Sequence, residues 1–176
     1  SHPEHPEALR LEAGILNLRG QRTQAASVRR RELAQRPDDA LYHTTLGSIL
    51  ADAGDFDAAL PALRRACELQ PDFAAAWYNL GIVLIRCVRY DEAEAALRRA
   101  IALDPGNADA RAQLADALKV RGRNEDAVAE YRRILAARPW AGMAWWGIAN
   151  IKTARLGASD VEAMRAALRD SRAGDD

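Results

Sequence analysis

The 176 residues suffice for one domain, or one short repeat array, with a buried core. Hydrophobic residues make up 49% and charged residues 28%, with 25 basic against 25 acidic side chains, so no global field favours nucleic acid or an anionic membrane. No apolar run approaches the ~18 residues of a membrane span and the N-terminus lacks the charged-then-apolar pattern of a secretory signal. A cytoplasmic chain is expected because its two cysteines read as free thiols, which fit a reducing compartment.

The chain opens on Ser1 rather than Met, which reads as a trimmed or cloned start. Pro3 and Pro6 keep His2 and His5 off a shared helix face, so no metal is expected there. From Pro6 to Asp39 a degenerate helix pair is expected. Glu12, Arg29 and Arg31 stand where later segments are apolar, which predicts a polar outer face. Residues 40–73 read as two helices joined by Asp55-Phe56-Asp57, with Asp57 as the N-cap of the second. Residues 74–107 repeat this around Arg89-Tyr90-Asp91, with Asp91 as the cap, and 108–141 form a third pair. In 142–170 a helix through Trp145-Trp146 is expected to run to about Thr153. A second then starts at Ser159, where Ser159-x-x-Glu162 resembles a capping box, and Ser171–Asp176 is expected to fray.

These segments share a period. Pro37, Pro71, Pro105 and Pro139 are spaced by 34 residues, as are Gly20, Gly54, Val88 and Gly122, and Ala25, Ala59, Ala93 and Ala127. Gly47 and Gly81, with Ala115 in the third copy, let paired helices approach closely. Leu46, Leu80, Trp77 and Tyr90 fill the space between pairs, and each proline ends a second helix. The copy with Trp77, Leu80, Gly81, Tyr90, Ala93, Ala100 and Pro105 resembles the tetratricopeptide repeat (TPR). That resemblance implies an all-α solenoid, a right-handed superhelix of antiparallel helix pairs, forming a single array over residues 1–176. It also implies a non-catalytic module that binds protein or peptide in a concave groove.

The groove of such arrays is lined by the first helix of each pair. Mapped by repeat position, this gives Tyr78, Asn79, Ile82, Ile85 and Arg86, then Asp116 and Lys119, then Trp146 and Asn150. Tyr78, Ile82, Ile85 and Trp146 are the expected apolar anchors, and the other five the polar contacts. Thr44, Ser48, Asp52, Asp109 and Gln113 fall on the remaining positions. The same face can instead be covered by the chain's own N-terminal helices, or by another subunit in a homo-oligomer. Asn79 falls on one position of the carboxylate clamp of chaperone-binding TPR domains, but Thr44, Ser48, Asp109 and Gln113 supply no cation, so no clamp is expected. His43 stands where Trp77 stands one repeat later, which suggests packing.

Cys67 and Cys87 fit no zinc spacing and lie too far apart along their helices to be bridged, so two free thiols are expected. The arginine pairs Arg64-Arg65, Arg98-Arg99 and Arg132-Arg133 recur at the period. Glu68, Glu94 and Glu130 beside them predict a solvated, salt-paired face rather than a phosphate-gripping stripe. Of the 25 basic residues only Lys119 and Lys152 are lysine, a bias expected of a GC-rich bacterial genome.

The segment Pro139-Trp-Ala-Gly-Met-Ala-Trp-Trp-Gly-Ile-Ala-Asn-Ile-Lys-Thr153, with Ser159-Asp160 and Glu162-Ala163-Met164, resembles the end of the repeat region in bacterial TPR-containing sulfotransferases. In that family a catalytic domain using 3′-phosphoadenylyl sulfate follows. The resemblance implies an accessory arm that recruits the acceptor, or a dimerisation arm, whose partner is the downstream catalytic domain or its acceptor. No phosphosulfate-binding Arg-Ser-Gly-Thr-Thr-like loop occurs in the sequence, so it implies no catalytic or cofactor residue here.

Overall fold

The computed structural model describes residues 6–35, 38–151 and 156–173. The expectations for His2, His5, Pro37, Lys152 and Thr153 lie outside the described residues. Among those described there are ten helices and no strand: α1 Pro6–Leu18, α2 Arg22–Gln35, α3 Ala40–Asp52, α4 Phe56–Leu69, α5 Ala74–Arg86, α6 Tyr90–Leu103, α7 Ala108–Val120, α8 Asn124–Ala137, α9 Gly142–Ala149 and α10 Ala158–Ala173. They fall into two compact units, Ser1–Asp104 and Pro105–Asp176.

The three central pairs are near copies, each a first helix of 13 residues and a second of 14. One turn joins every pair. Gly54, Val88 and Gly122 each take a left-handed φ, of 83°, 61° and 76°, as does Gly20 between α1 and α2 at 72°. Such a residue lets the next amide reach back to close the helix end. Asp55 N–H accordingly donates to Leu50 O, Arg89 N–H to Leu84 O and Arg123 N–H to Leu118 O. The second helices α4, α6 and α8 stop two residues before Pro71, Pro105 and Pro139, as the missing donor of proline requires.

The helix starts correct the capping expectation. Phe56 and Tyr90 are already helical, so Asp57 and Asp91 sit in the first turn, where a carboxylate meets the positive helix end. The cap of α4 is Asp55, whose side chain accepts from Ala58 N–H at 3.1 Å, while Arg89 before α6 makes no side-chain cap bond. Asp39 and Asn107 cap α3 and α7 in the same way. Helix α10 also begins one residue earlier than expected. Gly157 N–H donates to Asp160 Oδ2 at 2.9 Å, so Asp160, not Glu162, supplies the reaching-back half of the capping box.

In the first unit α5 packs against both α3 and α4. The core there is formed by Leu46, Ile49, Leu50, Leu63, Ala66, Leu80, Val83 and Leu84. Each buried Leu, Ile or Val side chain there contributes about 1.5–3 kcal/mol of transfer free energy. Glycine is required where helices touch: a Cβ on Gly47 would lie 2.5 Å from Leu63 Cγ, and one on Gly81 2.7 Å from Leu97 Cγ. Cys67 is buried and Cys87 half-buried, and both are free. Burial, and then the charge of Glu68 beside it, pushes the Cys67 thiol up to about 11.

The polar outer face expected for the first pair is not what α1 presents. Glu12 is exposed, but so are Leu11, Ile15 and Leu18, while Leu9 and Ala13 are buried against Val28 of α2. The helix period rotates every third or fourth residue onto the outer side, and here those residues are aliphatic.

In the second unit the core is Leu114 and Leu118 of α7, Tyr131 and Ile134 of α8, and Ala144 and Ile148 of α9. Helix α9 ends at Ala149 rather than near Thr153. Asn150 closes it, with its backbone N–H and its Nδ2 both donating to Trp146 O.

Candidate partner-binding faces

The first-helix positions expected to bind a partner fall on α5 in the first unit and on α7 and α9 in the second. On α5, Tyr78, Asn79, Ile82 and Ile85 are half-buried and Arg86 is exposed at the end of the helix. Ile85 packs against the core of its unit, so part of its side chain is already committed. Of the neighbouring positions on α3, Thr44 is buried at 5% exposure and its Oγ1 donates to Ala40 O at 2.8 Å, which removes it from the surface. Ser48 is half-buried and Asp52 exposed.

On the second unit the structure gathers Asp116, Lys119 and Trp146 and adds a residue that the groove mapping missed. Lys119 Nζ stands 2.6 Å from Asp116 Oδ1 and 5.9 Å from the centre of the Trp146 ring, within cation–π range. The same Asp116 oxygen accepts from Tyr131 Oη at 2.8 Å. Burial, and then that bond to the carboxylate, raises the Tyr131 hydroxyl pKa well above the usual phenol range, so it remains a donor. Tyr131 thus anchors Asp116, Asp116 fixes Lys119, and Lys119 holds its charge over an indole that is 66% exposed. Gly147 makes room for this chain of contacts, since a Cβ there would lie 2.4 Å from the Tyr131 ring. Asn150 is exposed, but its amide is engaged in closing α9.

Trp140 and Met143, also unmarked by the groove mapping, are exposed together with Trp146 at three-residue spacing. The signal was present in the sequence as Trp140-x-x-Met143-x-x-Trp146, but the groove positions of a repeat select only one of the three.

Five of the six repeat-spaced arginines form ion pairs, while Arg99 Nη2 donates to Pro71 O at 3.3 Å. Arg64 pairs with Glu92 at 2.9 Å, Arg65 with Asp38 and Glu68, Arg98 with Glu94, and Arg132 lies 3.7 Å from Asp160. Glu92 is held below its usual carboxylate range chiefly by its hydrogen bond from Arg89. Glu130 departs from the solvated face expected of it. It is 4% exposed and is gripped by Arg111 at 3.1 Å and by Arg133.

Among the described residues no group of three or more His, Cys, Asp or Glu side chains could hold a metal ion, and no helix is long and apolar enough to cross a membrane.

Two sequence-family models, both described as tetratricopeptide repeat, match residues 44–108 and 88–141. No curated protein matches the chain significantly in sequence. Among solved structures it is similar to that of MamA, at 24% identity and a TM-score of 0.80, over 92% of this chain and 95% of that one. A MamA double mutant gives a TM-score of 0.80 at 18% identity, over 94% of this chain and 96% of that one. YrrB, described as a TPR protein with an unusual peptide-binding site, gives 0.74 at 21% identity, over 82% of this chain and 75% of that one. At these identities the likeness shows the fold: a TPR-like solenoid.

Proposed function

The chain carries tetratricopeptide repeats, and from that premise we propose that it is a non-catalytic module that binds a protein or peptide through the exposed faces of its first helices. One observation carries the reading: Trp146 is two-thirds exposed beneath a lysine fixed by Asp116 and Tyr131. An aromatic face and a cation placed in advance lose little side-chain freedom when a ligand arrives. Trp140 and Met143 extend that face with apolar surface, and Tyr78, Asn79, Ile82, Ile85 and Arg86 offer a mixed face on α5. YrrB, of similar fold, is described by its peptide-binding site, which supports the same class of ligand. Arg64, Arg65 and Arg98, each paired with a neighbouring acid, give a phosphate backbone little to hold. Two free thiols fit a cytoplasmic location.

The test uses peptides selected from a random-sequence library on the immobilised chain. Replacing Trp146 with Ala, or Tyr78 and Ile82 together, is expected to weaken their capture at least ~10-fold, the loss of an aromatic anchor, with the helical circular dichroism spectrum retained at the assay temperature. Equal capture by wild type and both variants contradicts the reading.

A narrower reading rests on the Ala144-Trp145-Trp146-Gly147-Ile148-Ala149-Asn150 segment. On that reading the module is an accessory arm that presents an acceptor to a sulfotransferase domain. Sequencing the native reading frame beyond Asp176 decides it: a phosphosulfate-binding loop supports the arm, and a nearby stop codon rules it out.

A further inference from the structure

Helix α1 turns an apolar stripe to solvent. Leu11, Ile15 and Leu18 are 63%, 50% and 91% exposed, while the opposite side of the helix, Leu9 and Ala13, is buried against α2. Steps of four and then three residues are those of the seam between two packed helices, where apolar side chains recur at two positions of each heptad. We propose that this stripe pairs two copies of the chain, α1 against α1, antiparallel, about a two-fold axis.

The side chains set the register. In an antiparallel seam Ile15 packs on the second copy's Leu18, and Leu18 on its Ile15. Glu12 and Arg19 flank the stripe on one side, and both are exposed. The same register brings Glu12 opposite the second copy's Arg19, and the two-fold axis makes that ion pair twice. The opposite signs fall where a seam of identical helices needs them.

Glu12 also argues for a second copy over a further stacked repeat. It lies 34 residues before Leu46 in the repeat frame, and Leu46 and Leu80 at that position are 5% and 6% exposed. A repeat stacked on α1 would bury the Glu12 carboxylate among apolar side chains, at a high cost in solvation. A narrow two-helix seam leaves it at the wet rim. Because α1 is already held by α2, pairing orders no new helix, and a short seam suffices for a weak dimer.

Sedimentation equilibrium from about 10 μM to about 1 mM, a span that reaches weak contacts, is expected to show the mass rising from one chain towards two. Ile15→Asp should remain monomeric with an unchanged circular dichroism spectrum. Glu12→Arg and Arg19→Glu should each weaken pairing about tenfold, since each turns two attractive pairs into repulsive ones. Mixing those two variants should restore it, because each supplies the charge that the other has lost. A wild-type chain that stays monomeric throughout overturns the proposal and leaves the stripe to a helix of another protein or of a longer chain. So does a mixture that associates no better than its components.

Discussion

Val88 has a φ of 61° at a turn position where Gly54 and Gly122 stand in the neighbouring pairs. The left-handed region costs an L-residue about 1–2 kcal/mol, and a β-branched side chain is among the least suited to it. Val88 is 68% exposed, so removing its side chain forfeits little packing. Val88→Gly relieves that strain and gives back about 0.5–1 kcal/mol through the greater freedom of glycine in the unfolded chain. The expected result is a net gain of roughly 0.5–1 kcal/mol, read as a higher urea midpoint at unchanged slope. A lower midpoint would mean that the turn does not hold Val88 in this conformation. The spacing of the glycines was legible in the sequence, and so was the odd residue at position 88. That a valine would follow the same backbone was not, because the bonds from Val88 N–H to Ile85 O and from Arg89 N–H to Leu84 O impose it from the turn as a whole.

Between elements, the same position of three successive repeats reaches back six residues to a proline carbonyl. Trp77 Nε1 donates to Pro71 O at 3.0 Å, Arg111 Nη2 to Pro105 O at 3.4 Å and Trp145 Nε1 to Pro139 O at 2.9 Å. In the repeat of Trp77 the matching position on the second helix is Ala96, and in that of Arg111 it is Glu130, so a bulky indole beside a small residue has been exchanged for an ion pair. Removing Arg111 alone, as Arg111→Ala, leaves Glu130 buried with Arg133 as its remaining ion-pair partner, and is expected to cost about 2 kcal/mol. Arg111→Trp together with Glu130→Ala restores the neighbouring arrangement and should lie within about 1 kcal/mol of the wild type. Thermal or urea unfolding of the two variants checks this, and equal losses in both would contradict it.

Period and proline placement gave the helix pairs from sequence, because they rest on local backbone chemistry. Exchanges such as Arg111 with Glu130 were illegible, since Glu130 read as part of a solvated face paired with the arginines next to it in sequence. The contact of Tyr131 with Asp116 was hidden for a similar reason: it joins two helices 15 residues apart through a gap that Gly147 leaves open. The cap shift from Asp57 to Asp55 arose because two acids flank one turn, and sequence alone does not say which of them lies outside the helix.

For the molecule as a whole, charge cancels at both the largest and the smallest scale. The chain has 25 basic and 25 acidic residues, and arginines at repeat-spaced positions meet acids on neighbouring turns or helices. On the proposed function, recognition falls to apolar and aromatic surface with a few fixed charges. Each compact unit carries such a face on its first helices: α5 in one, α7 and α9 in the other. The stripe on α1 and these faces share no residue, so Ile15→Asp tests pairing and Trp146→Ala tests partner capture. The most direct measurement is a two-dimensional ¹⁵N–¹H NMR titration of the labelled chain with a library-selected peptide. The account expects shifts at the Trp146 indole N–H and the amides of Lys119, Tyr78, Asn79 and Ile82. Shifts confined to α4, α6 and α8, with those residues unmoved, would contradict it.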